Sequence, residues 1–325
     1  MKRRAIAAAL GATALVTGPA LAEYPERPIQ MVIPYGTGGA TDLSARALSN
    51  PLGKIVPEPI VLSNRTGAGG ATGSVSVRDA DGDGYTLLFA RVGSHSVNPA
   101  MKATLPYSID QFRFVGVYEI NPVVCAVAED SDIGSMDDLI ARVNQAPGSV
   151  LFSSSGVGSL LHLAGAMVLD SFGVENPLED AIHLPMDGGG AAATAVLQGT
   201  ATFICTNSSA LASFVQNEQL RPIMVTTPEP LEGFDAPTAS ELGHPELEQL
   251  VGWTGIAGPA DLTDEAASAW EGWLTEAVQD QGFLDYMDQA GSQVDLMSPE
   301  ESIEFINSQY ETFRELVIDL DMEVR

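Results

Sequence analysis

Residues 29–42 read IQMVIPYGTGGATD. The first five are apolar and β-prone, which predicts a buried strand at 29–33. The glycines that follow predict a tight turn, and Asp42 begins a helical stretch that runs to Leu52. A strand that leads through a glycine loop into a helix is the repeating unit of an open α/β sheet. Such sheets bind ligands where these strands end.

The same alternation continues along the chain and predicts an α/β protein whose sheets are mainly parallel. Further strands are predicted at 60–62, 86–89, 123–127, 150–152, 181–184, 202–205, 223–226 and 251–257, with helices at 136–144, 160–172, 191–198 and 209–217. After Thr263 the pattern is almost entirely helical, at 264–279, 283–290 and 299–319. Ser298 with Glu301 has the spacing of a capping box, and Ser135 with Asp138 has a weaker version of it.

The N-terminus has the pattern of a signal peptide. Lys2, Arg3 and Arg4 precede a short apolar run at 5–16, and Ala20-Leu21-Ala22 resembles a cleavage site. This predicts a leader over residues 1–22 and an exported, periplasmic mature chain, because the run is too short to span a bilayer. The arginine pair leaves both the general and the twin-arginine export routes open.

Length and charge limit the function classes. Roughly 300 residues follow the leader, which favours two domains over one core. The chain has 43 acidic and 15 basic residues and a net charge of −28, so nucleic acid is not expected as a partner. An acid-rich surface with so little lysine fits either a protein from concentrated salt or an ordinary acidic periplasmic protein.

Cys125 and Cys205 are the only cysteines. In an oxidising compartment they can form one disulfide. Both lie in apolar, strand-like runs, so two separate buried thiols fit the sequence equally well.

Four glycine- or hydroxyl-rich segments follow predicted strands, at 34–42, 64–73, 153–159 and 206–209. Glycine lets backbone N–H groups approach a ligand, and a helix N-terminus favours negative charge. Together the segments predict a site for an anion. One side is expected to offer the N–H groups of Gly38, Gly39, Gly69 and Gly70, and the other the hydroxyls of Ser155, Ser159 and Thr206.

No segment has the spacing of a phosphate loop, a dinucleotide fingerprint, a serine-hydrolase elbow or a zinc-protease motif. The chain is therefore predicted to be a binding protein without cofactor or metal, not an enzyme. Two residues have alternative roles. Asp42 either binds ligand through water or fixes its own loop and helix start, and His162 either contacts ligand or packs against its loop.

Arg91 follows the predicted strand 86–89 and is expected to open on the same cleft. A guanidinium can grip a second carboxylate in a bidentate manner, which favours a diacid ligand. A surface arginine paired with one of the many acidic side chains is the alternative.

An ordered set of motifs runs through essentially the whole mature chain. In chain order the motifs are YPERPI at 24–29, PYGTGGATD at 34–42, NRTGAGG at 64–70, DGYTLL at 83–88, NP at 98–99, SGVGS at 155–159, HLAG at 162–165, HLP at 183–185, QG at 198–199, LR at 220–221, APT at 236–238 and Trp253. This set resembles the tripartite tricarboxylate transporter receptors, also called Bug-type receptors.

The resemblance implies a two-domain periplasmic-binding-protein architecture of the Venus-flytrap, type II-like kind, with the ligand cleft between the domains. The domains are expected at 23–122 plus 246–325 and at 123–245. The resemblance further implies a monomer that hands a small di- or tricarboxylate to membrane permease subunits. It adds Tyr35, Thr37 and Gly156 to the ligand-binding candidates.

The chain departs from the family pattern at three places. Gly36-Thr37 stands where the family usually has two prolines, and Met186 and Asp187 replace an aromatic residue and a lysine. Two other function classes remain open at this level. One is an enzyme on the same framework, such as a hydrolase or lyase that uses Asp42 and His162. The other is a sensory receptor that signals to a membrane kinase.

Overall fold

The structure is a computed structural model that describes residues 24–186 and 188–323. The predicted signal peptide at 1–22 and the departure at Asp187 lie outside the described residues. Within the described part of the chain, no helix combines the length and apolar character needed to cross a membrane.

Strands and helices alternate as the sequence predicts. The strands are β1 Ile29–Ile33, β2 Ile60–Asn64, β3 Thr86–Arg91, β4 Phe112–Ala128, β5 Val150–Ser154, β6 Ala181–Pro185, β7 Phe203–Asn207, β8 Leu220–Val225, β9 Val251–Pro259 and β10 Gln293–Val294. The helices are α1 Ala40–Ile55, α2 Ala71–Arg78, α3 Asn98–Met101, α4 Met136–Gln145, α5 Leu160–Ser171, α6 Pro177–Asp180, α7 Gly189–Leu197, α8 Ser208–Gln216, α9 Asp264–Ala277, α10 Gln281–Gln289 and α11 Pro299–Asp319.

The strands form one curled sheet in the order β2-β1-β3-β9-β4-β7-β5-β6, with β8 and β10 also paired to β4. The expectation of mainly parallel sheets is wrong. In the described residues four strand pairs are parallel and five are antiparallel. The reason is that β4 and β9 run back through the middle of the sheet, against the parallel strands on either side.

Strand β4 is the longest, and it changes partner along its length. Its first part pairs with β9 as far as Pro122, and from Val123 onward it pairs with β7 and β8. The change coincides with the predicted domain crossing near Pro122. One continuous strand therefore belongs to both groups of strands.

Local sequence chemistry explains where several helices begin. Helix α11 starts at Pro299 behind a complete capping box between Ser298 and Glu301. Helix α4 starts after Ser135, whose hydroxyl accepts the backbone N–H of Asp138. Both helix starts confirm the capping predictions.

Two of the three tryptophan side chains, Trp253 and Trp270, lie fully buried in the core. Trp253 of β9 is fully buried, packs against His95 and Phe114, and donates its indole N–H to Gln309 of α11 at 2.8 Å. Trp270 is fully buried on α9.

Cys125 and Cys205 are joined by a disulfide. They are direct partners across the antiparallel pair of β4 and β7, and both are fully buried. The disulfide alternative is therefore the correct one.

Candidate functional site

A cavity of about 830 Å³ lies between the two groups of strands. The loops after β1, β2 and β3 supply one wall, and the loops after β5, β6 and β7 supply the other. Eight predicted site residues line it: Tyr35, Gly38, Gly39, Gly69, Arg91, Ser155, Ser159 and Thr206. Five do not line it: Thr37, Asp42, Gly70, Gly156 and His162.

Four helices point their N-termini into this cavity. Helix α1 enters from one wall, and α5, α7 and α8 enter from the other, since the first residues of each line the space. Of the four, only α5 is capped by its own N-cap side chain; at the start of α8 the Ser209 N–H donates to Asn121 Oδ1 at 3.5 Å, and the N-cap residues of α1 and α7 give no side-chain bond. The first N–H groups of a helix have no partner within it and carry partial positive charge. Their convergence makes the cavity a favourable place for an anion.

Three of the four glycine amides that were expected to point at the ligand donate within their own loops instead. The amide of Gly38 donates to Asp42 Oδ2 at 2.8 Å, that of Gly39 to the Gly36 carbonyl at 3.3 Å, and that of Gly70 to the Gly67 carbonyl at 3.0 Å. Tight turns bond internally, so these amides are already engaged.

Asp42 fixes the first loop. Its carboxylate is fully buried, receives two hydrogen bonds from Arg46 at 2.9 Å, and receives one from Asn64 at 2.9 Å. Burial acts to raise the pKa of Asp42, but the hydrogen bonds from Arg46, Gly38 and Asn64 lower it to about 2. Asp42 is therefore an ionised anchor, which agrees with its loop-fixing alternative.

Three residues with hydroxyl groups line the cavity from the opposite wall: Ser155, Ser159 and Thr206. Thr206 is 1% exposed, and its Oγ1 has no hydrogen-bond partner. Ser155 lines the cavity from the loop after β5. Ser159 also lines it, but its hydroxyl donates to the Gly156 carbonyl at 2.8 Å and accepts the N–H of His162 as the cap of α5. The Ser159 hydroxyl is thus engaged within its own loop, whereas Thr206 Oγ1 is left without a partner among the described residues.

His162 packs within its own wall. Its ring stacks on His183 with 3.8 Å between centroids, and its Nδ1 accepts the N–H of Gly158 at 3.3 Å. Burial, followed by the charge of His183, lowers the pKa of His162 to about 4. The ring is neutral at physiological pH and supports the loop, as the packing alternative predicts.

Arg91 is not a surface residue. It is 6% exposed, lines the cavity, and donates from Nη1 to Thr254 Oγ1 at 2.8 Å. The same nitrogen lies 3.9 Å from Oε2 of Glu119, which also lines the cavity and is 2% exposed. The surface-arginine alternative is therefore wrong.

The family model for the tripartite tricarboxylate transporter family receptor matches residues 44–322. This chain belongs to that family of receptors. Members of the family are binding receptors and not enzymes, which fits a site that is built from loops and helix ends.

Similar proteins span nearly the whole receptor. Protein BugT of Bordetella pertussis is 28% identical over 94% of this chain and 93% of its own. The periplasmic binding protein BugD is 25% identical, with a TM-score of 0.80 over 93% of this chain and 100% of that chain. An R. palustris protein, solved with adipate, shares the fold at 22% identity, with a TM-score of 0.82 over 92% of this chain and 99% of that chain.

Sequence reasoning missed several cavity residues of this receptor. They include Glu119 of β4, and Tyr286 and Ser292 around the end of α10, whereas Asn207 and Ser209 lie within the predicted segment 206–209. Glu119 is detectable in the sequence only as a carboxylate flanked by the apolar or aromatic residues Tyr118 and Ile120. Tyr286 and Ser292 left no signal, since only the tertiary fold brings the C-terminal region to the cavity.

Proposed function

We propose that this receptor captures a small carboxylate in the periplasm and delivers it to the permease subunits of a tripartite tricarboxylate-type transporter. The observation that carries the proposal is the convergence of four helix N-termini on one cavity of about 830 Å³. An anion placed there gains charge-assisted hydrogen bonds from both walls.

Di- and tricarboxylates are the favoured ligands. The helix ends accommodate one carboxylate, and the planar fork of Arg91 can hold a second in a bidentate manner. The shared fold of the R. palustris protein that was solved with adipate, a dicarboxylate, supports this choice.

Closure of two domains would bury the ligand. We place them at 23–122 plus 246–325 and at 123–245, supported by the change of strand partner in β4 at Pro122 and Val123. The ligand would then lie between walls that belong to different domains. Excluding water from the closed cleft would strengthen the hydrogen bonds to the carboxylate. The receptor would act as a monomer after removal of residues 1–22, with no cofactor.

The two residues proposed as catalytic groups in the enzyme alternative, Asp42 and His162, are engaged elsewhere. Asp42 is held by Arg46 and Asn64, His162 stacks on His183, and neither Asp42 nor His162 lines the cavity. A catalytic pair has to reach the substrate, so these two residues do not support turnover.

A thermal-shift screen of mono-, di- and tricarboxylates tests the proposal. A true ligand at one hundred times its Kd stabilises the folded state by about 2.7 kcal/mol and raises the melting temperature. Sugars and cationic amines of similar size serve as controls and should leave it unchanged. Stabilisation by a control class alone, or by no carboxylate at all, would refute carboxylate capture. Chemical conversion of the bound carboxylate would instead support an enzyme.

A further inference from the structure

Glu119 is a buried carboxylate in the cavity wall with one oxygen left unsatisfied. Its Oε1 accepts hydrogen bonds from Ser292 at 3.0 Å and from Asn121 at 3.3 Å. Its Oε2 has no hydrogen-bond partner, although the side chain is only 2% exposed. A buried carboxylate oxygen without a donor is costly, so a native protein retains one where something else completes it.

Arg91 does not complete it. The 3.9 Å between Nη1 of Arg91 and Oε2 of Glu119 is too long for a hydrogen bond, and that nitrogen already donates to Thr254. The two groups are nevertheless close enough to neutralise each other's charge. Arg91 and Glu119 are the only charged side chains among the described residues that line the cavity.

The wall therefore offers one positive and one negative group side by side, within reach of one small molecule. A plain diacid satisfies Arg91 but places its second carboxylate beside Glu119, where like charges repel. A ligand that carries both an anion and a cation satisfies both groups. Tyr286, which also lines the cavity, lies near enough that the charge of Glu119 adds to the effect of burial in raising the pKa of its phenol.

We propose that Glu119 is a specificity residue that accepts a hydrogen bond from a protonated amine on the ligand. The preferred ligand is then a dicarboxylate that bears an amino group, held by the helix N-termini, Arg91 and Glu119 together. This inference rests on the proposed capture of a carboxylate and narrows it. If Glu119 only balanced the charge of Arg91, the receptor would not distinguish amino from plain diacids.

Calorimetric titration at pH 7.5 with three matched four-carbon diacids provides the test: succinate, its 2-hydroxy derivative malate and its 2-amino derivative aspartate. The wild type should bind aspartate at least tenfold more tightly than succinate, with malate between them. In Glu119→Gln the amide oxygen can still accept from Asn121 and Ser292, but the charge is lost. The preference for aspartate should therefore fall to about twofold or less.

Two further variants complete the experiment. Glu119→Asp keeps the charge and should retain a preference for aspartate, which guards against a folding defect in Glu119→Gln. Glu276→Gln, an exposed site on α9, should match the wild type. Equal or weaker binding of aspartate than succinate by the wild type, or no binding of aspartate, overturns the inference, as does an equal loss for all three diacids in Glu119→Gln. Carboxylate capture itself would still stand if succinate or another carboxylate binds.

Discussion

Arg91 on β3 and Glu119 on β4 are both aligned with the same residue, Thr254 of β9, which lies on the strand between them. The register of three neighbouring strands thus brings the two charged side chains to within 3.9 Å of each other on one wall of the cavity. The local sequence around Arg91 or Glu119 does not predict that the two residues meet, because 28 positions separate them along the chain. Their pairing is a product of the sheet order β3-β9-β4.

Replacing Arg91 with alanine should cost roughly 2 to 5 kcal/mol of affinity for a dicarboxylate and little for a monocarboxylate. The reason is that only the second carboxylate loses its bidentate partner. Calorimetric titration with matched mono- and dicarboxylates measures the difference.

The double variant Arg91→Ala/Glu119→Gln is the control for this prediction, because the single change leaves the Glu119 charge buried alone. If the dicarboxylate recovers full affinity in the double variant, the loss came from the stranded Glu119 charge and Arg91 does not grip the ligand. Equal small losses of affinity for mono- and dicarboxylates in Arg91→Ala would also show that Arg91 does not bind the ligand.

Ser155 and Ser159 lie four positions apart in one loop, and they should respond differently to alanine. Ser155→Ala should weaken ligand binding by about 1 kcal/mol and leave the melting temperature unchanged, since Ser155 lines the cavity and is not the cap of α5. Ser159→Ala removes the cap of α5 and should lower the free energy of unfolding by about 1 kcal/mol. Titration and denaturant unfolding of both variants check the contrast. If Ser155→Ala lowered the free energy of unfolding and left the ligand affinity unchanged, the predicted contrast would be wrong.

Asp42 should make the fold sensitive to acid. Its folded-state pKa of about 2 lies below the unfolded value of about 3.9, so its contribution to stability is present above pH 4. As the pH falls from about 4 to 2, protonation should remove about 1 to 2 kcal/mol. Asp42→Asn should show this loss already at pH 7 and a flatter acid profile. Asp137→Asn, at an exposed first-turn position of α4, is the matched control. Parallel acid profiles for wild type and Asp42→Asn would rule out this role.

The disulfide should stabilise the folded chain by limiting the unfolded state. It joins residues 80 positions apart, so the variant Cys125→Ala/Cys205→Ala should lose roughly 2 to 4 kcal/mol of unfolding free energy. Denaturant unfolding with and without a reducing agent measures this loss. Reductant should destabilise the wild type and leave the double variant unaffected. If the reducing agent did not change the unfolding free energy of the wild type, even after the chain had been fully unfolded in its presence, the result would argue against the disulfide.

Elements with strong local signals were predictable from the sequence, and elements shaped by the tertiary fold were not. Helix α11 has the predicted bounds of 299–319 because Ser298 and Pro299 define its start. Helix α2 was missed, since ATGSVSVR is poor in helix-forming residues and depends on its packing. The first part of β4 was missed as well. There Arg113, Glu119 and Asn121 interrupt the apolar pattern, although the strand is mostly buried.

The candidate site divides in the same way. The glycine and hydroxyl loops could be located because strand ends and turn residues are local features. The atoms that are free to contact a ligand could not be predicted. The Gly38 N–H and the Ser159 hydroxyl, for example, form hydrogen bonds within their own loops. Glu119 required knowledge of the strand order.

The complete burial of Cys125 and Cys205 also fixes an order of events in the life of the chain. An oxidant cannot reach sulfur atoms that are fully buried in the folded chain. The bond therefore forms while β4 and β7 are still accessible, before this part of the sheet is covered, or after it has reopened. A chain that completed its folding in a reducing compartment would carry both thiols sealed inside it, whereas one that folds after crossing the membrane meets the oxidant first. The bond between these two sulfur atoms thus requires that an oxidant reach them before the sheet is covered or after it has reopened.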